Sequence, residues 1–174
     1  TGPDRNDNAI FRFGENGEFL GPANLEPNGT GIFAAASPSG ITAVGDFLYD
    51  FIFCQVGQNN FKVQWITINP EIGWTPKLNP AEGPRDIFAL NKFERPEDVT
   101  VDRETNIYVI DEGKHRLFKF SRDGKELQSF GEFGSGEKQF NHPKGVAFFD
   151  RTLYVADTGN DRVVRFKLST DVSP

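Results

Sequence analysis

At 174 residues, with 37% apolar and 25% charged composition, the chain has the make-up of one soluble globular domain. A formal net charge of -6 gives a phosphate backbone little to attract, which counts against nucleic acid as a partner. No apolar run nears the roughly 20 residues needed to span a bilayer, and the first residues show no signal-peptide pattern.

The chain begins at Thr1 and contains no Met, which suggests processing or excision from something longer. The stretch from Asp4 to Phe13, followed by Gly17 and Leu20, reads as two strands and the turn between them, over residues 1–20. Asn28-Gly29-Thr30 is a glycosylation sequon by pattern alone. A divergent unit over 33–79 contains Phe33, then Pro38-Ser39-Gly40-Ile41-Thr42-Ala43-Val44 as a first strand and Phe47-Leu48-Tyr49 as a second. Phe61-Lys62-Val63-Gln64-Trp65 follows, and the Pro-rich run from Pro70 to Pro84 reads as an insertion or a long outer loop. The sole cysteine, Cys54, cannot form an internal disulfide, and no CxxC or Cys/His cluster offers a structural zinc site. It is expected as a small buried hydrophobe on a strand.

The clearest unit spans 93–131. Val99 and Val101 alternate on one face of a first strand, and Ile107-Tyr108-Val109-Ile110 is β-branched and aromatic, as a more buried second strand should be. Arg116 to Phe120 supplies the third. Asp123-Gly124 is a hairpin turn signature, because residues at positive φ match the twist of the joined strands, and Glu126 to Phe130 is the fourth. A Gly-rich connection, Gly131 to Gly136, leads to a further unit over 140–168. There Val146 and Leu153-Tyr154-Val155-Ala156-Asp157 repeat the first two strands, and the third ends near Leu168. The 18 Phe suit sheet faces packed about 10 Å apart.

The copies are regular. Asp157-Thr158-Gly159-Asn160-Asp161-Arg162 and Asp111-Glu112-Gly113-Lys114-His115-Arg116 start 46 residues apart, and the Asp4 segment is a third, degenerate copy. Pro38 to Tyr49 and Pro143 to Tyr154 share a spacing of 11, which aligns Tyr49 with Tyr154, and the shared Tyr-Val-x-Asp pattern places Tyr108 with Tyr154. Short antiparallel strands at such a period, with Gly and Asp turns and no helical pattern, specify propeller blades. Phe-x-x-Pro-x-(Gly/Asp)-Val, (Ile/Leu)-Tyr-Val-x-Asp, Arg-(Leu/Val)-x-x-Phe and Gly-x-Phe-Gly-x-Gly together resemble the NHL repeat. The resemblance covers 93–168 well, 1–20 fairly and 33–68 loosely. The expected fold is therefore all-β: an NHL-type β-propeller of four-stranded antiparallel blades, incomplete in this chain. The resemblance implies a six-bladed ring of about 280 residues, completed by the remainder of a longer chain or by a second subunit. It also implies an exported, periplasmic or cell-surface setting.

Propeller ligands sit where inner strands begin, at the channel mouth. The residues after the Phe-x-x-Pro prolines, Ser39, Glu97 and Lys144, with Arg95 and His142 beside them, form the candidate ligand-binding rim, although Glu97 and Lys144 on adjacent blades could simply neutralise one another. In the family branch that cleaves peptidyl-hydroxyglycine, this position resembles a ring of zinc-binding histidines, and none of the three blades here has one. With only His115 and His142 in the chain, no metal or other cofactor is expected from these residues.

His115 stands where Asp161 and Asn8 stand in sister repeats and is read as structural. Asp111/Arg116 and Asp157/Arg162 recur in each blade, whereas catalysis needs one site, so they are read as architecture: a carboxylate bonding turn amides and pairing with an Arg on the next strand. Glu82-Gly83-Pro84 is similar to the metal-binding Glu of gluconolactonase-like propellers but lies in the Pro-rich loop. Gly131-x-x-Gly134-x-Gly136 is no phosphate cradle, because no helix follows it.

No Ser/His/Asp or comparable catalytic set recurs. The sequence therefore reads as a non-enzymatic binding propeller that presents its loops and rim to a protein or glycan partner. The alternative is a metal-dependent hydrolase or lyase with its remaining ligands outside this segment. RNA recognition is disfavoured by charge.

Overall fold

The computed structural model describes residues 10–22, 37–45, 50–57, 62–69, 73–76 and 92–168. Tyr49, the Asn28 sequon, Glu82-Gly83-Pro84, the Asp4 end of the first repeat and most of the Pro-rich run lie outside the described residues. The chain divides into two compact units, Thr1–Leu90 and Asn91–Pro174, and every described strand pairing is antiparallel.

In the first unit, β1 (Phe11–Phe13) and β2 (Phe19–Pro22) form a hairpin, with Gly17 at φ 81° in its turn. Phe19 packs at 5.8 Å from Phe11 and 5.6 Å from Phe13, centroid to centroid, yet all three rings are exposed. The second sheet of the unit has the order β3 (Pro38–Ala43), β4 (Asp50–Gln55), β5 (Val63–Asn69), β6 (Gly73–Pro76).

Phe47-Leu48-Tyr49, expected as the second strand, lies outside the described residues; the strand described beside β3 is Asp50–Gln55, a central strand whose Ile52, Phe53 and Cys54 are all fully buried. The reading of 70–84 as an insertion or loop gives way to a strand at Gly73–Pro76. That strand is an edge, where a proline without an N–H does least damage to the ladder. Asp50, buried at the start of β4, accepts a hydrogen bond from Trp65 Nε1 at 3.0 Å.

The second unit begins with a four-stranded sheet in sequential order: β7 (Pro96–Val101), β8 (Ile107–Asp111), β9 (Arg116–Phe120), β10 (Glu126–Phe130). Its successor has β11 (Gly145–Phe149), β12 (Thr152–Asp157) and β13 (Arg162–Lys167), with a 3-10 turn at Thr158–Asn160. Registers repeat from one sheet to the next. Val99 faces Val109 as Val146 faces Val155, and Thr100 faces Tyr108 as Ala147 faces Tyr154. The two described repeat tyrosines thus occupy equivalent places. Asp150 and Arg151, both at positive φ, close the β11–β12 hairpin, the geometry whose twist matches the strands it joins.

The core of this unit lies between its two sheets. Tyr108, Ile110 and Leu117 from one face meet Phe140, Val146, Leu153 and Val155 from the other. Burial in such a seam is the main favourable term in folding, roughly 25 cal/mol per Å2 of apolar surface removed from water. The innermost strands are also tied by polar contacts, since the Val146 amide donates to Asp98 Oδ2 at 2.9 Å and the Phe148 amide to Thr100 Oγ1 at 3.3 Å. Burial pushes the Asp98 carboxyl up, against the lowering effect of the Val146 and Val99 amides.

Tyr108 enters the seam with its hydroxyl satisfied, donating to Asp102 Oδ2 at 2.9 Å. Asp102 also accepts from the Glu104 and Asn106 amides and from Asn106 Nδ2, which holds the β7–β8 turn with Thr105 at φ 63°. Burial first, then the Asp102 charge, pushes the Tyr108 hydroxyl well above its usual range. The Tyr108→Phe variant is expected to lose about 1 kcal/mol, read as a lowered midpoint in urea with an unchanged slope.

Candidate functional site

The site forms where two segments entering first strands meet the β8–β9 turn. Asp111, at the end of β8 and fully buried, accepts the Glu94 amide at 2.8 Å on one oxygen and the Arg95 and Lys114 amides at 2.9 and 3.1 Å on the other. Arg95 returns its carbonyl to the Glu112 amide at 2.8 Å. This backbone clamp fixes the starting points of the side chains above it.

From there Arg95 Nε lies 2.7 Å from Glu97 Oε1 and 2.9 Å from Glu112 Oε2. The hydrogen bond to Glu97, then the Glu112 and Glu97 charges, hold the guanidinium still higher than its usual value. The second Glu112 oxygen lies 3.0 Å from His142 Nδ1. His115 Nδ1 accepts the His142 amide at 3.1 Å. The His115 ring also stands edge-on to His142 at 4.9 Å and to Phe133 at 5.1 Å. Arg95 and His142 are more than half exposed, whereas Glu97 and Glu112 are mostly covered. The result is a carboxylate floor with a cationic and aromatic upper surface.

Of the five rim residues expected from sequence, the structure brings Arg95, Glu97 and His142 into this one network. Glu97 is engaged by Arg95 of its own sheet, so the expected Glu97–Lys144 neutralisation is not what forms. Lys144 anchors through its amide to the Ala156 carbonyl at 3.0 Å, with an exposed side chain. Ser39 lies on β3 in the first unit, beside a shallow pocket of about 260 Å3 with Ile10, Phe11, Ile41 and Phe53.

Glu112 is the residue that sequence reasoning missed. The only signal for it was a break in the repeat, with Glu112 where Thr158 stands in the sister copy. His115 has two roles. Its backbone, at φ 51°, matches Asp161 at φ 52°, a conformation for which His, Asp and Asn are enriched, but its ring takes part in a contact that no aspartate would make.

The two Asp/Arg pairs differ. Asp157, fully buried, accepts the Asn141 amide at 2.6 Å, Asn160 Nδ2 at 2.8 Å and Arg162 Nε at 2.8 Å. Arg162 in turn donates to the Ser135, Gly136 and Gln139 carbonyls, clamping the Gly-rich connection. Asp111 and Arg116 face each other in register, but among the described residues they form no ion pair. The Asp111 oxygens are already taken by three amides, and Arg116 instead helps, after the Lys92 and Ser129 hydrogen bonds, to hold the Glu126 carboxyl below its usual value.

Gly131 in the connection sits at φ 117°, where an added Cβ would lie 2.5 Å from the His115 carbonyl oxygen and 2.8 Å from the Phe140 ring. A side chain there would have to displace backbone.

Among the described residues no group of three His, Cys, Asp or Glu side chains could hold a metal ion. The geometry explains this, since His115 Nδ1 is occupied by an amide and Glu112 is divided between Arg95 and His142. A three-histidine zinc centre does not fit these residues. Among the described residues, no helix is long and apolar enough to cross a membrane.

A family model described as NHL repeat matches residues 140–166, the segment from Phe140 through β13. NHL repeat-containing protein 3 of Homo sapiens is 30% identical over 170 residues, covering 92% of this chain and 46% of that protein. The chain belongs to the NHL-repeat family. Peptidyl-alpha-hydroxyglycine alpha-amidating lyase 1 of Drosophila melanogaster is 36% identical over 98 residues, covering 51% of this NHL-repeat chain and 18% of the lyase. Among solved structures, the gluconolactonase XC5397 of Xanthomonas campestris superposes with a TM-score of 0.59 at 12% identity, over 86% of this chain and 41% of that one. The fold is that of a β-propeller. The NHL-repeat chain spans less than half the length of the curated relatives it matches.

Proposed function

We propose that this chain is a non-enzymatic binding scaffold, presenting the surface around Arg95, Glu97, His142 and Lys144 to a protein or glycan partner, with Ser39 as a separate candidate position in the first unit. The observation that carries this reading is the internal pairing of Glu112 with Arg95 and His142. It engages the carboxylates and imidazoles of this cluster with one another, and it pre-orients exposed donors and rings toward solvent. Screening the full chain on glycan and peptide arrays is the test. The Arg95→Ala/His142→Ala variant is expected to weaken the selected ligand at least about tenfold, roughly 1.4 kcal/mol. Unchanged binding in that variant would remove the rim from the proposal.

A second reading, a metal-dependent hydrolase or lyase whose ligands lie outside this segment, is motivated by likeness to the amidating lyase. One divalent ion per ring that survives dialysis, together with turnover, would favour it over the first.

We further infer that the blades bounded by 1–20, 33–79, 93–131 and 140–168 belong to a larger ring, six-bladed by family resemblance. Among the described residues β1 and β2 form a two-stranded hairpin with three exposed phenylalanines, an arrangement marginal alone, which supports completion by other strands. A stable native species of 19.5 kDa would contradict completion by a second copy or by a longer chain.

A further inference from the structure

We propose that the second unit contains a binding site for a small amphipathic anion, an apolar body carrying one carboxylate or phosphate head. It is a crevice of about 380 Å3 opening between the β7–β10 sheet and the β11–β13 sheet. This site shares no residue with the rim and does not depend on the function proposed above.

The floor is apolar. Leu117 and Leu153 are buried, but Phe130, Phe166 and Leu168 above them are only partly covered, so among the described residues the seam between the sheets stays open at this end. Phe130 and Phe166 meet edge-on at 4.9 Å between ring centroids, which gives a fixed aromatic wall instead of a collapsible gap.

The head-group chemistry follows from the rim of the crevice. Lys119, Lys138 and Lys167 line it, and none of the lining residues is acidic. That is a local exception in a chain with 25 acidic and 19 basic residues. Lys119 is poised by its own wall, its Nζ lying 5.4 Å from the Tyr108 ring centroid. Lys138 and Lys167 are exposed and enter no ion pair among the described residues. A cation has no partner here, and a neutral apolar ligand would leave the three ammonium groups unused. An anion with an apolar tail satisfies both surfaces, and the volume falls within the usual range for small-ligand sites, about 300–1,000 Å3.

The test uses the full chain and three ten-carbon probes in isothermal titration: decanoate, decyl phosphate and decanol. Saturable binding of either anion, at least about tenfold tighter than decanol, is expected, and the tighter anion identifies the head group. Lys138→Glu/Lys167→Glu should lose that binding at least about tenfold with an unchanged melting temperature, since both side chains are exposed. Gln128→Trp, at an exposed lining position on β10, should block the crevice in an otherwise native fold. The proposal is overturned if decanol binds as well as the anions, if charge reversal leaves affinity unchanged, or if neither anion binds at millimolar concentration.

Discussion

Phe140→Ala is expected to destabilise the protein by about 3–5 kcal/mol, the range for removing a fully buried aromatic side chain. Phe140 is fully buried and sits where the Gly-rich connection delivers the chain into the last sheet. Its ring stacks at 6.1 Å edge-on against Phe166 and tilts against Phe130 at 6.2 Å, so it bridges the outgoing strand of one sheet and the third strand of the next. Truncation removes the contact that joins the two faces of the seam and leaves a cavity that the sheets, each pinned by its own ladder, cannot easily fill. For a chain of this size the loss corresponds to a fall in melting temperature of about 10 °C, measurable by calorimetry. Phe140→Leu should recover more than half of it. A loss under about 1 kcal/mol for Phe140→Ala would show that the seam does not depend on this ring.

The same residue shows what the sequence could convey. Phe140 and Pro143 were visible as a restart of the unit because their counterparts, Phe93 and Pro96, have the same spacing, and the strands that follow are short, alternating and separated by Gly and Asp turns. Local chemistry of that sort determines β7 to β10, and Gly124 at φ 79° stands where the Asp-Gly turn requires it. Alignment by repeat says less where a blade diverges. In the first unit it points to 47–49, outside the described residues, whereas the strand described at Asp50–Gln55 is signalled by its own apolar run from Phe51 to Cys54. At Gly73–Pro76 the prolines hid a strand because an edge tolerates them.

The site was less legible, for a physical reason. Arg95, Glu97 and His142 were placed near one another by the blade pattern, but the group that joins them, Glu112, sits in a turn where the repeat changes residue, and its two partners come from different strand-entry segments. Pairing of that kind depends on three-dimensional approach across a sheet boundary, which spacing within one repeat does not encode. Asp98 is a similar case. It read as one more residue of an alternating strand, yet its carboxylate receives the Val146 amide from the neighbouring sheet.

Asp157→Ala should produce the second large loss, also about 3–5 kcal/mol, because it leaves the Arg162 guanidinium and the Asn141 amide without their buried acceptor. Burial pushes the Asp157 carboxyl up, but hydrogen bonds from the Asn141 amide, Asn160 and Arg162, with the Arg162 charge, outweigh it and hold the group below its ordinary value of 3.8. A carboxyl depressed in the folded state contributes stability that is fully present above its unfolded value and is withdrawn as pH falls through the folded one. In the natural sequence that contribution is therefore lost only below about pH 4, whereas Asp157→Asn, which keeps the shape without the charge, should lack this part of the acid limb. Arg162→Lys separates charge from geometry. A lysine can still face Asp157 but cannot also hold the Ser135, Gly136 and Gln139 carbonyls, since those bonds use the planar guanidinium fork. Thermal melts of Asp157→Asn and Arg162→Lys between pH 3 and 7 decide the matter: if both variants follow the natural acid limb, Asp157 is not the group that titrates there, and the clamp on the Gly-rich connection is held by the backbone alone.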